Sequence, residues 1–417
     1  MIPNVLVICE NFTTAIRIVP AYLALRDNGV VNPIFFTTFG EAGTISYLEE
    51  HGVEYLTVKD IIDDTDREQL FGLRDEYREI FDTCRAKHAY TTCHYKGVPL
   101  LPFIGDEVLR LNQMKIFCNY VFRKLVGRFD PALVFVAYCS GGKKKQYVTM
   151  ANHMGIPTLH LQYGSTLLPK GTVRRELFSS NYCVWGEAFR DLYVDQPEKR
   201  LRTIVTGDPT FDACAHVDSG MVRQRLGLER SNRLIMVGLC FLSECIEAVE
   251  QLRGARVSPD DVFVFKLHPA LSDQKEEFEQ HIKTAGVSYR VVGREMSPYE
   301  LLHSADHYLA LELESLWLAA FHFNVIPTVV TSFLRVSRER QPFPWLFDAC
   351  ACMDTLCSFD QVDQLVANVD RELFEEAKRR LWHRGDFMAS QRVAAVVEGL
   401  ATECPFEQIK EAVEAIR

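Results

Sequence analysis

The chain has 417 residues, 47% hydrophobic and 24% charged; that composition is ordinary for a globular protein of two or three domains and excludes a disordered or fibrous chain. Its 46 Lys and Arg stand against 56 Asp and Glu, a net charge of −10 with no long basic block. A broad nucleic-acid footprint is therefore excluded, while a small anion still has local basic clusters to meet.

In chain order, residues 5–10 (VLVICE) form a strand-like apolar run with no basic region before it, so a first core strand is expected and not a signal peptide. Helical apolar spacing follows over 14–28 and stops at Gly29, and 33–38 reads as a second strand. A helix over 40–52, a strand over 54–58 and a polar helix over about 61–85 come next. After a connection rich in Cys, Tyr, Lys and Pro, another helix covers about 106–127. Strands resume at 132–137, followed by SGGKKK and a helix ending near Gly155. Further strands are expected over 158–162, 182–185 and 203–206, with a helix over 187–195.

The weaker stretch 215–231 is the expected domain boundary. A second cycle then begins, with strands over 233–238, 262–267, 288–292, 308–311 and 327–330, and helices over 243–253 and 275–286 and from Pro298 and Ser315. Alternating strands and helices predict βαβ units on parallel sheets. The expected architecture is α/β, with two facing Rossmann-like doubly wound domains at 1–215 and 225–358. A helical tail over 359–417, interrupted near Gly385 and at Pro405, is expected to pack on or bridge both. No segment reaches the roughly 18 uncharged apolar residues of a membrane helix. A cytoplasmic protein is expected, with room for peripheral contact at the inner face of the membrane.

Thirteen cysteines without a secretory signal predict reduced thiols used mostly as small core residues. Two groups are spaced closely enough to weigh as metal sites: Cys84, His88, Cys93 and His94, and Cys350, Cys352 and Cys357. Neither has paired CxxC spacing, so no metal is expected.

The chemistry concentrates at strand ends. FVFKLHPA, residues 263–270, is an apolar run that stops on Lys266, His268 and Pro269. Parallel strands buried on both faces read as continuous hydrophobic runs, and ligands of open α/β sheets bind beyond their carboxyl ends. Lys266 and His268 are thus expected to face an anionic ligand; the plainer alternative is an exposed strand end and a turn histidine. LELES, residues 311–315, ends another strand and opens a helix at Glu314 and Ser315, where free amides suit a phosphate. Glu10 ends the first strand ahead of Thr13 and Thr14, and reads either as a general base at the cleft edge or as a helix cap. Asp208, in TGDPTFD, reads as a nucleophile, a base or an Asx turn before Pro209. SGGKKK, with Lys143, is either an anion site or a solvated helix start. Arg174 and Arg175 are either contacts to an acidic sugar or acceptor, or exposed loop residues.

Taken in order, TLHLQYG, YCVWGEAF, TIVTGDPTFD, FKLHPA and LELESLWLAAFHFNVIPTVV resemble the GT-B glycosyltransferases of bacterial surface polysaccharide assembly. That group is similar to the capsule and lipopolysaccharide Kdo transferases, the bacterial sialyltransferases, the CDP-glycerol glycerophosphotransferases and, more distantly, the UDP-GlcNAc 2-epimerases. The resemblance spans about 158–330. It implies a metal-independent transferase without cofactor that moves a sugar, in first place a CMP-activated acidic one of the Kdo or sialic acid type, to a capsule or lipopolysaccharide glycan. A CDP-glycerol or polyol-phosphate transferase, a 2-epimerase-like enzyme and an inactive nucleotide-sugar-binding subunit are the alternatives. It places His268, Pro269 and Ser315 at the donor phosphate, and Gln162 and Gly164 at the transferred sugar. The chain departs from the pattern at Glu314, where Ser or Gly is common, at Ala319, where relatives carry a ribose-binding Glu, and at Asp208, where Asn is usual.

Overall fold

The computed structural model describes residues 2–38, 40–86, 94–95, 98–99, 101–137, 142–164, 178–192, 196–239, 241–311, 315–334, 338 and 343–417. Strands β1 (Asn4–Cys9), β2 (Asn32–Thr37), β3 (Tyr55–Thr57), β4 (His94–Tyr95), β5 (Val98–Pro99), β6 (Pro131–Ala137), β7 (Thr158–Leu161), β8 (Asn181–Val184) and β9 (Thr203–Val205) belong to the first half. Apart from the small β4-β5 ribbon they form one parallel sheet of order β3-β2-β1-β6-β7-β8-β9.

The second half holds β10 (Arg233–Leu239), β11 (Asp261–Leu267), β12 (Ser288–Val292), β13 (His307–Ala310), β14 (Pro327–Val330) and β15 (Ala351–Met353). They form a second parallel sheet of order β12-β11-β10-β13-β14-β15. These are the two expected Rossmann-like domains. All seven residues of β11 are buried, as a central parallel strand covered on both faces requires.

Alternation along β1 explains the layering of the first half. Val5, Val7 and Cys9 point to a core shared with the helices Phe12–Asn28, Ala389–Ala401 and Phe406–Ala415, while Leu6 and Ile8 point to the helices Leu101–Phe129 and Gly142–His153. In the second half Ile235, Val237 and Leu239 pack on one face with Phe263 and Phe265; Leu234 and Met236 pack on the other. That last core runs on into the first half, because Val184, Trp185, Val205 and Phe211 belong to it together with Trp382. The apolar core is therefore continuous between the domains.

The tail is divided between the halves. The helix Phe359–Asn368 packs on the second sheet and Arg371–Leu381 lies at the junction, against the helices Ser315–His322 and Glu187–Asp191, whereas Val393, Val396, Val397, Ile409 and Val413 lie in the core of the first. Several bounds differ from the sequence reading. The helix before β6 begins at Leu101, the expected boundary region carries a 3-10 turn Pro209–His216 and a helix Ser219–Arg225, and β15 is an additional edge strand. Among the described residues no helix is long and apolar enough to cross a membrane.

Candidate functional site

Each sheet reverses its strand order once, between β1 and β6 in the first and between β10 and β13 in the second. The crevice beyond the carboxyl ends at such a switch point is where α/β sheets take ligands. Glu10 and the start of the helix Gly142–His153 border the first switch point. Leu239, His268 and the start of the helix Ser315–His322 border the second.

The halves meet across this crevice. A Cβ at Gly164 would stand 3.7 Å from Ser315 Oγ, and one at Gly43 would stand 4.0 Å from an Arg294 guanidinium nitrogen. Gly164 adopts φ of +66°, a left-handed turn that glycine enters without steric cost. The LQYG turn and the opening of the Ser315 helix thus lie close to each other.

On the first half, capping falls to Asn11 and not to Glu10: Asn11 Oδ1 accepts Thr14 N at 3.1 Å. Glu10 is left pointing toward the helix Gly142–His153, with Lys144 Nζ 3.8 Å from its Oε2 and its Oε1 buried without a hydrogen-bond partner. Burial raises its pKa, opposed by Lys144 and Lys143 and by their backbone N–H groups. Lys143 is shifted the other way, lowered by burial against Glu10 and Cys118. The basic helix start therefore meets an anion already present in the chain. Ser140 and Gly141 of SGGKKK lie outside the described residues.

Gln162 is buried, and its side chain braces its own turn. Its Oε1 accepts Trp185 N at 3.0 Å and its Nε2 donates to Gly164 O at 3.2 Å. Asp208 is an Asx turn and an ion-pair partner: its Oδ1 accepts Thr210 N at 3.1 Å and Thr210 Oγ1 at 2.8 Å, while Oδ2 is paired with Arg17. With its side chain 1% exposed, this carboxylate belongs to the domain junction, and of the nucleophile, base and Asx-turn readings its hydrogen bonds are those of the Asx turn.

On the second half, Lys266 is buried and donates to Leu267 O at 3.1 Å and to Gly293 O, so its ammonium binds the ends of β11 and β12. This corrects the expectation that it faces an anionic ligand. The physical reason is the pleat: Lys266 points to the same side as the buried Val264, beneath the Gly293 turn. Burial lowers its pKa to about 8, against the pull of Glu295. His268 is exposed at the strand end; burial of part of its ring, then the Lys266 charge, lowers its pKa from the usual 6.5. At neutral pH it offers a neutral imidazole and not a cation.

Nearby, Ser272 Oγ is buried without a partner and Glu295 accepts Gly293 N at 2.8 Å and Lys275 Nζ at 2.9 Å. Pro269 begins the 3-10 turn Pro269–Gln274. Ser315 is half-buried at its helix start, while Glu314, Arg174 and Arg175 lie outside the described residues. Cys84, His88, Cys93 and His94 also fall where no side chain is described. Among the described residues no group of three or more His, Cys, Asp or Glu is arranged to hold a metal ion.

Sequence reading missed Arg17, Tyr299 and Arg294. The first had a visible signal, a lone charge inside AIRIVPAYLAL. The other two sit in polar stretches where nothing marks them.

No known protein family matches this sequence, and no curated protein matches it either. Solved structures do match it in shape over nearly the whole length. A candidate UDP-N-acetylglucosamine 2-epimerase from Listeria monocytogenes aligns with a TM-score of 0.62 at 13% identity, covering 97% of this chain and 98% of that one. The UDP-GlcNAc 2-epimerase from Neisseria meningitidis bound to UDP-GlcNAc aligns at 0.59 and 12% identity, covering 96% and 100%. A glycosyltransferase from Rickettsia africae aligns at 0.52 and 8% identity, covering 96% and 99%. At these identities the likeness is one of fold: the chain has the two-domain GT-B fold that epimerases and glycosyltransferases of nucleotide sugars share.

Proposed function

We propose that the protein is an enzyme acting on a nucleotide sugar held between its two sheets, with a uridine nucleotide as the carrier. The observation that carries this reading is the approach of the Gly164 turn, beyond β7, to Ser315 at the switch point of the second sheet. The fold likeness supports UDP over the CMP donor that the sequence resemblance put first, because UDP-GlcNAc is the molecule named with the Neisseria structure.

In this reading the diphosphate lies against the amides that open the Ser315 helix and against His268. A free helix N-terminus stabilises negative charge, and it does so most where charge grows as the bond from sugar to phosphate breaks. His268, neutral at pH 7, donates one hydrogen bond to a phosphate oxygen. Glu10 is the proton-transfer group on the sugar side. Burial raises its pKa toward the range in which a carboxyl can both accept and return a proton, and its free Oε1 is the atom available for that step.

The first reaction reading is a 2-epimerase-like change at the sugar, the chemistry named for the Listeria and Neisseria structures. The second is transfer of the sugar to a glycan acceptor, including the capsule and lipopolysaccharide acceptors of the sequence resemblance. It is favoured by the absence of a Ser-Gly-Gly start at the phosphate helix. Incubation with UDP-GlcNAc alone separates the two. Formation of the C2 epimer without acceptor supports the first, whereas UDP release only when a glycan acceptor is added supports the second. Absence of any binding of UDP or UDP-GlcNAc sinks both.

A further inference from the structure

Arg17 lies on the helix Phe12–Asn28 of the first half, 6% exposed in a cluster of otherwise apolar residues. Its guanidinium is held from four sides. Nη1 is ion-paired with Asp208 at the end of β9, and Nη2 donates to Tyr299 Oη at 3.3 Å. The rings of Tyr163 and Trp185 each lie 5.3 Å from its central carbon. Asp208, Tyr163 and Trp185 follow β9, β7 and β8 of the first sheet, whereas Tyr299 belongs to the helix Pro298–Ser304 of the second half. A single side chain thereby joins three strand ends of one domain to a helix of the other. Tyr163 is also the residue between Gln162 and Gly164, in the turn that meets Ser315.

We propose that Arg17 is a positioning residue of the crevice: through Tyr163 and Tyr299 it fixes the Gly164 turn against the Ser315 helix and holds the two halves in the ligand-binding arrangement. It touches no reacting atom. The planar guanidinium is required, because only its fork can pair with a carboxylate, donate to a hydroxyl and stack on two rings together. A lysine keeps the charge and loses the rest. This inference rests on the nucleotide-sugar reading for its functional consequence but not for its geometry.

The test uses the full-length chain with Tyr299→Phe, Arg17→Lys and Arg17→Met, and reads UDP affinity by calorimetry and domain separation by solution X-ray scattering without ligand. Tyr299→Phe removes the hydroxyl that accepts from Arg17 across the domains and keeps the ring, so it reports even where an Arg17 variant fails to fold. Expected results are a threefold to tenfold weaker UDP affinity for Tyr299→Phe, a larger loss for both Arg17 variants with no rescue by lysine, and a larger radius of gyration than wild type in each folded variant. Wild-type affinity together with a wild-type radius in Tyr299→Phe overturns the proposal. If wild type binds no UDP, the nucleotide reading fails by itself, and scattering alone then decides for or against the latch.

Discussion

The proposed role of Glu10 rests on its neighbours. It ends a buried strand, escapes capping duty because Asn11 takes it, and is left with one oxygen near Lys144 and one without a partner. Glu10→Gln preserves shape and removes the proton acceptor, so turnover on the true substrate is expected to fall at least about 100-fold. The melting temperature should hold or rise, since a buried ionised group with a raised pKa costs stability; normal turnover in the variant contradicts the assignment.

His322 offers a second residue-scale expectation. It is buried among Phe211, Trp382 and Phe387 with both ring nitrogens unpaired, and burial lowers its pKa to about 3 from 6.5. The unfolded chain therefore binds a proton that the folded one refuses between those values, and stability falls as pH drops through the window, by up to about 5 kcal/mol for such a shift. Asp212, raised by burial to about 6, works in the opposite direction between about 4 and 6, and Asp208, Arg384 and Asp386 line the same small cavity. The difference between His322→Phe and wild type in urea melts at pH 4 and pH 7 isolates the histidine. The variant should lose less stability on acidification, and an identical loss refutes the account. At this scale the sequence made Glu10 and His268 visible through their places at strand ends. It could not reveal Lys266 turned onto Gly293 O, because a strand pattern names a face and not the carbonyl that waits there.

Elements were legible where periodicity is strong. β11 reads as a buried parallel strand in FVFKL, and helix Phe12–Asn28 is announced by apolar spacing and closed by Gly29 at φ of +68°. β15 was not legible, since three residues, Ala351–Met353, at a sheet edge carry no pattern of their own. Nor was the helix Ser219–Arg225, which is short and mostly polar, with Val222 alone fully buried. The close approach at Gly186 was equally hidden. A Cβ there would come within 2.3 Å of the Leu381 backbone, where the tail helix Arg371–Leu381 passes the end of β8. Backbone cannot yield as a side-chain tip can, so Gly186→Ala should force that helix away and cost about 2 to 3 kcal/mol, in the range of overpacked cores. A stability within about 0.5 kcal/mol of wild type in urea melts would show that the contact is not tight.

The whole molecule is built so that neither half is complete without the chain's end. Val393, Val396, Val397, Ile409 and Val413 are at most 1% exposed in the first domain's core. Each such side chain contributes about 1.5 to 3 kcal/mol when buried, so the set rivals the roughly 5 to 15 kcal/mol that holds a domain folded. Truncation after Leu381 should leave the first half unfolded, seen as loss of cooperative melting. The two doubly wound domains were legible from alternation and a tail reaching both was expected, whereas which tail helices cover the first sheet was not legible, because helical spacing does not say which sheet it covers. The donor was the least legible of all, since it depends on contacts at the base that no motif in the chain fixes. The most direct measurement is therefore a calorimetric titration of the intact protein with UDP, UDP-GlcNAc and CMP, repeated with His268→Ala. The account predicts saturable binding of UDP and UDP-GlcNAc at least tenfold tighter than CMP, and a marked loss in the folded variant. Binding of CMP in preference to UDP, or UDP affinity unchanged in His268→Ala, would contradict it.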